Sequence, residues 1–123
     1  MLGHLAVVAV AYLLAVAPLV FATTSQVNIS GSYRSSWGDV RLSQDGNRVD
    51  GTYVCCGGGT IEGRIIEDRT IRYLWRQPGG WGQGVWTIGA GKLDGTWGVQ
   101  HHESDGGRWD LVEARGPRKQ IAN

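Results

Sequence analysis

The sequence has almost no net charge, and this absence limits the partners that the protein can have. Twelve Lys and Arg residues balance eleven Asp and Glu residues, for a formal net charge of +1 at pH 7. Binding to nucleic acid or to an anionic membrane surface depends on an excess of positive charge on one face. The basic residues are scattered, apart from Arg115, Arg118 and Lys119, which we assign to a flexible basic tail over residues 115–123. The composition therefore predicts no nucleic-acid partner.

The usual patterns of a catalytic or cofactor site are also missing. No glycine loop precedes a helix, no Ser/His/Asp order can be inferred, and no paired carboxylates fall on the predicted interior. Only two cysteines occur, and as adjacent residues they supply too few ligands for a metal ion. His101 and His102 are weak candidates for metal ligands, because neighbouring side chains on an extended segment diverge. We expect a protein that is not an enzyme, has no catalytic residues and carries no cofactor.

The first 22 residues contain a long uncharged apolar run, Leu5 to Ala22, which has two interpretations. As a secretory signal peptide, it has Pro18 near its end and Val20-Phe21-Ala22 as a cleavage site. As a retained membrane helix, its 18 residues would rise roughly 27 Å, just enough for a thin bilayer core. No Lys or Arg precedes the run, which weakens the first interpretation. Both place the rest of the chain outside the cytoplasm (secreted or periplasmic) or at a membrane, with residues 5–22 as the possible membrane contact.

After a polar linker over residues 23–28, one five-residue pattern occurs four times: an apolar residue, a polar residue, Gly, a small or polar residue and a bulky residue. Side chains alternate between the two faces of a strand, so positions one, three and five share one face. A glycine in the middle of that face indicates a sharp bend or an opposing aromatic ring that needs room. The pattern predicts a small curved sheet. Its copies are Ile29–Tyr33, Val49–Tyr53, Ile61–Ile65 and Leu93–Trp97.

Eight alternating segments follow one another at short intervals, separated by turn sequences such as Asp45-Gly46-Asn47 and Pro78-Gly79-Gly80. Connections this short join antiparallel neighbours, since a parallel crossover needs about a dozen residues or more. We predict an all-β domain over residues 29–114, an eight-stranded antiparallel up-and-down barrel, with an open sandwich as the alternative. The predicted strands are 29–37, 38–44, 47–55, 60–67, 70–77, 83–89, 92–100 and 108–114.

The alternation also assigns each strand residue to a face. Almost every charged side chain falls on the outward face, which supports the strand assignments. Glu67, Gln77 and Glu113 fall on the inward face, but near strand ends. The outward set is Arg34, Arg41, Arg48, Asp50, Glu62, Arg64, Arg72, Arg76, Lys92, Asp94 and Asp110. The inward set is Ile29, Tyr33, Trp37, Val40, Leu42, Val49, Tyr53, Ile61, Ile65, Ile71, Tyr73, Trp75, Trp86, Ile88, Leu93, Trp97, Val99, Trp109 and Leu111.

Residues 29–54 resemble the opening strands of avidin-type barrels. The resemblance rests on Gly31-Ser-Tyr33 at the start, Gly38 before the second strand and Gly51-Thr-Tyr53 in the third. The segment is also similar to small exported bacterial domains of unassigned function that repeat a Gly-x-aromatic pattern. It covers about a quarter of the chain, and it implies a barrel.

The inward aromatic rings either fill the barrel or line a cup for one small ligand. We prefer a filled interior, because the strands are short and the rings are many. Trp81 is placed differently, in a glycine-rich loop over residues 78–84. An exposed ring there would anchor a partner, a glycan or a membrane interface, or would fold back to plug the barrel end. The candidate binding residues are Trp81, Trp37, Tyr53, Trp75, Trp86 and Trp97.

Cys55 and Cys56 stand next to each other before three glycines. On a strand, adjacent side chains point to opposite faces, so two free thiols would place one inside and one outside. This is the first of three arrangements that we consider. The second is a vicinal disulfide, which an oxidising compartment would permit, and the third is a bridge to another chain.

Two functions remain from the sequence. In the first, the protein is an exported or membrane-anchored binding module, and its open barrel end or the Trp81 loop engages a small ligand, a glycan or a protein. In the second, it is a structural accessory subunit of a larger membrane complex, such as a respiratory or photosynthetic assembly, with a retained helix at residues 1–22.

Overall fold

A computed structural model describes residues 27–67 and 69–114, and within these ranges the structure is all-β, as predicted. The predicted N-terminal helix, most of the linker and the basic tail lie outside the described residues. None of the helices in the described part is long and apolar enough to cross a membrane. A short 3₁₀ turn spans Cys55–Gly57. The strands are β1 (Gly31–Ser35), β2 (Val40–Asp45), β3 (Arg48–Tyr53), β4 (Gly59–Glu67), β5 (Thr70–Gln77), β6 (Gly80–Gly89), β7 (Lys92–Trp97), β8 (Gly107–Arg108) and β9 (Leu111–Glu113).

The strands close into an antiparallel barrel. Consecutive strands pair from β1 to β7, β7 pairs with β9, and β9 returns to β1. The short β8 adds to β7 beside β9, through the pair Thr96↔Arg108. These pairings confirm an eight-stranded antiparallel barrel and add one extra strand. The short turns predicted from the sequence fix this order, because each strand can reach only its neighbour.

The predicted last strand, 108–114, is split in two. Between β8 and β9 the Trp109 N–H donates to the Gly95 carbonyl at 2.9 Å. The Gly95 N–H donates to the Asp110 carboxylate at 2.9 Å. The Asp110 side chain thus accepts a hydrogen bond that a main-chain carbonyl of a neighbouring strand would otherwise accept. The ladder of main-chain hydrogen bonds along β7 is interrupted at this point. The alternation alone gave no sign of this interruption.

The core confirms most of the predicted inward set. Every buried hydrophobic side chain of the described residues belongs to that set, and none of the predicted outward charges is buried. The set was wrong for Trp37 and Val99, which are 38% and 44% exposed. They lie in loops because β1 ends at Ser35 and β7 ends at Trp97. Ile65 and Trp97 are only partly buried and pack against the core from its margin.

The barrel has two different ends. One end, which we call the mouth, carries the loops 36–39, 54–58, 78–79 and 98–106. At the opposite end lie the β2–β3, β4–β5 and β6–β7 turns. The described chain enters and leaves at this opposite end: Gln44 Nε2 donates both to the Val27 carbonyl and to the Gly46 carbonyl in the β2–β3 turn, and Ala114 follows β9 there.

Three buried tyrosines tie the barrel wall together through their hydroxyls. Tyr33 donates to the Ile29 carbonyl at 2.7 Å, and Tyr73 donates to the Thr96 carbonyl at 2.9 Å. Burial raises the pKa of Tyr53 to about 12. Burial, and then the nearby Glu113 carboxylate, raise the pKa of Tyr33 to about 12. Burial also raises the pKa of Tyr73 well above its ordinary value.

These shifts predict that the barrel loses stability in alkaline solution. A raised pKa in the folded state means that folding favours the neutral phenol. The contribution of Tyr33 and Tyr53 is therefore complete below their ordinary pKa of 10.0 and is lost as the pH rises through about 12. Denaturant titrations at a series of pH values should show the free energy of unfolding falling across this window. The sequence has four tyrosines, and the fourth, Tyr12, lies outside the described residues. Phenolate absorbance near pH 10 that exceeds the signal of one tyrosine in the folded protein would therefore contradict the expectation.

Candidate functional site

Stacked aromatic rings close the middle of the barrel. The rings of Tyr73 and Trp86 lie face to face with centroids 3.9 Å apart. Trp86 is 0% exposed, and its indole N–H donates to the Trp109 carbonyl at 2.9 Å. At this level the interior is filled, so no ligand reaches Trp86. The structure therefore places this candidate binding residue in the core and outside the site.

Above this floor a cup opens at the mouth. Its cavity has a volume of about 460 Å³, within the range of roughly 300–1,000 Å³ that small-molecule sites occupy. Five of the six candidate binding residues line it, all except Trp86. Trp109 also lines it. Trp109 is one of the inward rings that the sequence analysis considered as lining for a cup, but it is not among the six candidate binding residues. The cup is lined by Trp37, Tyr53, Cys55, Cys56, Trp75, Gln77, Gly79, Gly80, Trp81, Trp97, Val99, Gln100 and Trp109.

Three tryptophans form one continuous side of the cup. The ring of Trp97 meets Trp37 edge to face at 5.5 Å and Trp75 at 5.8 Å, with interplanar angles of 85° and 76°. Trp75 is fixed, because its indole N–H donates to the Gly98 carbonyl at 2.9 Å. Perpendicular aromatic pairs of this kind are the preferred geometry for the ring quadrupoles. This side of the cup is therefore held in place by the fold.

Hydrogen bonds and a ring contact position three further residues of the lining. The Tyr53 hydroxyl donates to Gln77 Oε1 at 2.6 Å, and the Tyr53 ring packs edge to face on Trp109 at 5.3 Å. Trp109 Nε1 in turn donates to the Ser35 hydroxyl at 3.0 Å. The sequence predicted that Gln77 faces inward at the end of a strand. From this position Gln77 could have been proposed as a residue of the site. Glu67 and Glu113, its companions in that prediction, are exposed and lie on strands at the opposite end.

Trp81 lies in a strand, and its predicted loop position is wrong. Strand β6 begins at Gly80, and Trp81 pairs with Arg76 of β5. The ring is half-buried and meets His101 edge to face at 5.3 Å. The glycines that suggested a loop alternate on the inner face of β6. A side chain at Gly82 would overlap the Gly98 carbonyl, and one at Gly84 would overlap the Tyr73 ring.

The two histidines are exposed in the loop 98–106. Within the part of the chain that the structure describes, no group of three or more His, Cys, Asp or Glu side chains is placed to hold a metal ion. His101 contacts the Trp81 ring. The backbone N–H of His102 donates to the Val99 carbonyl at 3.1 Å, which closes a turn at the mouth.

Cys55 and Cys56 are joined by a vicinal disulfide at the rim of the cup. This is the second of the three arrangements considered, and it replaces the first, in which one thiol is buried and the other exposed. Neither cysteine is buried: the chain has left β3 at Tyr53 and turns through Cys55–Gly57, where Cys56 has a positive φ of 65°. The in-and-out rule for strands therefore does not apply to this pair.

The disulfide predicts a clear result in mass spectrometry. Unreduced, unfolded protein should be two hydrogens lighter than the dithiol form and should take up no alkylating reagent at Cys55 or Cys56. After reduction both thiols should be labelled, because neither is buried. Labelling of one cysteine in the unreduced folded protein and of both after unfolding would instead restore the in-and-out arrangement.

Comparison of the chain with models of known protein families, with curated proteins and with solved structures finds no match. The resemblance of residues 29–54 to avidin-type barrels stays a prediction from the sequence.

Proposed function

We propose that this protein is a non-enzymatic binding module that holds a small uncharged ligand in the cup at its mouth. The observation that carries the proposal is the composition of the cup. Among the described residues its walls are aromatic rings, glycines, one valine, two glutamines and a disulfide, and none of the described Asp, Glu, Lys, Arg or His side chains lines it. Concave, mainly aromatic pockets with a few polar groups are the typical form of a small-molecule site.

The lack of charge in the cup selects against charged ligands. A carboxylate, phosphate or ammonium group that enters loses its hydration, and the lining offers no opposite charge in return. Moving an unpaired charged group into apolar surroundings is strongly unfavourable. An uncharged ligand avoids this cost and gains from the contact with the rings of Trp37, Trp75 and Trp97.

The cup is preformed and accessible. Hydrogen bonds hold Trp75 and Trp109, and the Tyr53–Gln77 contact holds a third wall residue. Little ordering is needed when a ligand enters such a site, which favours affinity. The described chain enters and leaves the barrel at the end opposite the mouth. We place the module outside the cytoplasm or at a membrane, as the apolar residues 5–22 predict. The accessory-subunit hypothesis also stays a prediction from those residues.

Filling the cup should abolish binding while the barrel stays folded. Gly80 lines the cup, and a Cβ there would lie 3.7 Å from the Trp75 ring, an ordinary contact. Gly80→Leu therefore adds an apolar side chain to the cavity, and its first carbon is accommodated without a clash. The probe is N-phenyl-1-naphthylamine, an uncharged dye that fluoresces in apolar sites. The parent protein should bind it saturably, and Gly80→Leu should weaken binding by about tenfold or more, which corresponds to about 1.4 kcal/mol.

Thr60→Leu is the matched control. Thr60 is exposed on β4 and pairs with Arg76, on the outward face. This variant adds the same kind of side chain outside the barrel and should bind the dye like the parent. If the parent binds no dye, or if Gly80→Leu binds it as well as the parent does, the cup is not a ligand site and the proposal fails.

A further inference from the structure

The cup presents hydrogen-bond donors that the protein itself does not use. Nε2 of Gln77 and the indole nitrogens of Trp37 and Trp97 have no hydrogen-bond partner among the described residues. No fully buried side-chain nitrogen or oxygen lacks a partner in the part of the chain described. The donors on the half-buried Gln77 and Trp97 are therefore reachable from the cavity or from solvent. A ligand that excludes water from them has to offer acceptors, because unpaired donors weaken binding.

The Gln77 amide turns its oxygen toward the Tyr53 hydroxyl. The Tyr53 hydroxyl donates to Gln77 Oε1 at 2.6 Å, so the oxygen is occupied and the NH₂ group is left as the free end of the amide. Tyr53 is buried, and burial raises the pKa of its hydroxyl to about 12, so the group stays a donor at neutral pH. The protein thus holds one fixed donor at the wall of an aromatic cup.

The tryptophans add a shape requirement. The planes of Trp37 and Trp97 stand at 85° to each other, which makes a right-angled corner at the mouth. A saturated ring fits such a corner, with the face that carries its axial C–H bonds against one indole and its edge toward the next. Such C–H faces are weakly positive and are attracted to the negative face of an aromatic ring.

We propose that the ligand of the cup is an uncharged sugar ring, a neutral hexose that stacks on the tryptophan corner and accepts a hydrogen bond from Gln77 Nε2. This inference rests on the proposed function. A hexose combines an apolar C–H face with hydroxyl groups that both accept and donate, and it carries no charge. A purely apolar ligand would leave the Gln77 donor unpaired, and an acidic or amino sugar would bring a charge that the lining does not balance.

The sugar could be free or attached to a protein, and the experiment separates the two sources. In one arm, free cellotetraose, maltotetraose, mannotetraose and N-acetylchitotetraose are titrated into the full chain, and tryptophan emission and calorimetric heat are recorded. In the other, the same protein is applied to an array of neutral N-glycans. Saturable binding in either arm supports the proposal, and the arm that binds identifies the source.

Variants assign the binding to the cup. Gln77→Leu should weaken binding by about tenfold or more, since it leaves a sugar oxygen without its donor. Tyr53→Phe removes the same protein hydrogen bond but keeps the amide, so it controls for any loss of stability in Gln77→Leu and should weaken binding less. Trp37→Ala, at a residue that is 38% exposed, removes one wall of the corner with little risk to folding and should weaken binding by a similar factor.

Each negative result has a distinct meaning. If no saccharide binds in either arm while N-phenyl-1-naphthylamine does, the sugar proposal is overturned and the binding module stands with an apolar ligand. If neither the saccharides nor the dye bind, the proposed function fails as well. Sugar binding that Gln77→Leu and Trp37→Ala leave unchanged would place the sugar elsewhere on the molecule and also overturns the proposal.

Discussion

Replacing Gly95 with valine is expected to unfold the barrel or to bring it close to unfolding. Gly95 pairs with Trp86 across β6 and β7. A Cβ at this position would overlap the Val85 carbonyl and would lie 2.8 Å from the Cα atom of Trp86. These are main-chain atoms, which cannot rotate aside as the end of a side chain does. The strands would have to separate, and we expect a loss of roughly 4 kcal/mol or more in the free energy of unfolding.

The hydrogen bonds of Gly95 increase the effect. Its N–H donates to the Asp110 carboxylate, and its carbonyl accepts from the Trp109 N–H, both at 2.9 Å. These two bonds join β7 to the segment between β8 and β9, where the barrel closes. Moving Gly95 away from β6 therefore strains the closure as well as the β6–β7 pairing. Gly95→Ala should show the same direction of change, because the first carbon alone meets the obstruction.

Urea denaturation of Gly95→Val, Gly95→Ala and a control variant tests this account. The control is Gly80→Ala, where the new Cβ makes only ordinary contacts with the Trp75 ring. Its free energy of unfolding should stay within about 1 kcal/mol of the parent value, and it can rise because alanine restricts the unfolded chain. A Gly95→Val protein that melts within about 2 °C of the parent would show that the strands have room, contrary to the structure.

The reason given by the sequence for the pattern glycines was only partly right. An aromatic residue, Tyr73, does pair with Gly63 across the sheet. The atoms nearest to a Cβ at Gly63, however, would be the Arg72 carbonyl at 3.0 Å and Tyr73 Cβ at 3.1 Å, and not the Tyr73 ring. At Gly51 the nearest atoms are Leu42 Cδ2 and the Arg41 carbonyl, and at Gly95 they are main-chain atoms of β6. A period-2 pattern shows which face a glycine occupies. It does not show how closely the next strand approaches, because that depends on the curvature of the closed sheet.

The fold was predictable because two independent patterns agreed, apolar residues inside and charges outside. The same method failed at β6, where Gly80, Gly82 and Gly84 occupy the inner face. Without side chains on that face, no alternation can be seen, and a glycine-rich strand has the same composition as a loop. Trp81 was assigned to a loop for this reason.

The site was predictable only as a set of inward rings. Trp75 and Trp86 both face inward, yet Trp75 lines the cup and Trp86 lies beneath it. What separates them is height along the barrel, which follows from the register between strands: Trp75 pairs with Gly82, while Trp86 pairs with Ile71 and Gly95 further from the mouth. The alternation of inward and outward side chains along one strand carries no information on the register between strands. The sequence analysis therefore placed Trp75 and Trp86 together among the candidate binding residues.

Tryptophans at different heights along the barrel should differ in how much they contribute to stability. We expect a large difference between Trp86→Ala, beneath the cup, and Trp37→Ala, at the mouth. Trp86→Ala removes a ring with 0% exposure, its stacking on Tyr73 at 3.9 Å and its hydrogen bond to the Trp109 carbonyl. Truncation of a buried aromatic residue typically costs about 3–5 kcal/mol through lost burial and the cavity left behind. In a domain of this size that is a large share of the total, commonly about 5–15 kcal/mol. We expect Trp86→Ala to be largely unfolded on mild heating.

Trp37→Ala is the matched comparison, since it deletes the same side chain at the mouth. Trp37 is 38% exposed, and its edge-to-face contact with Trp97 is its one ring contact among the described residues. Its loss should cost about 1 kcal/mol or less, as for most partly exposed positions. Thermal melts followed by far-ultraviolet circular dichroism measure both variants. Equal destabilisation of the two variants would mean that the cup and its floor form one continuous core. The assignment of Trp37 to ligand binding and of Trp86 to the core would then be wrong.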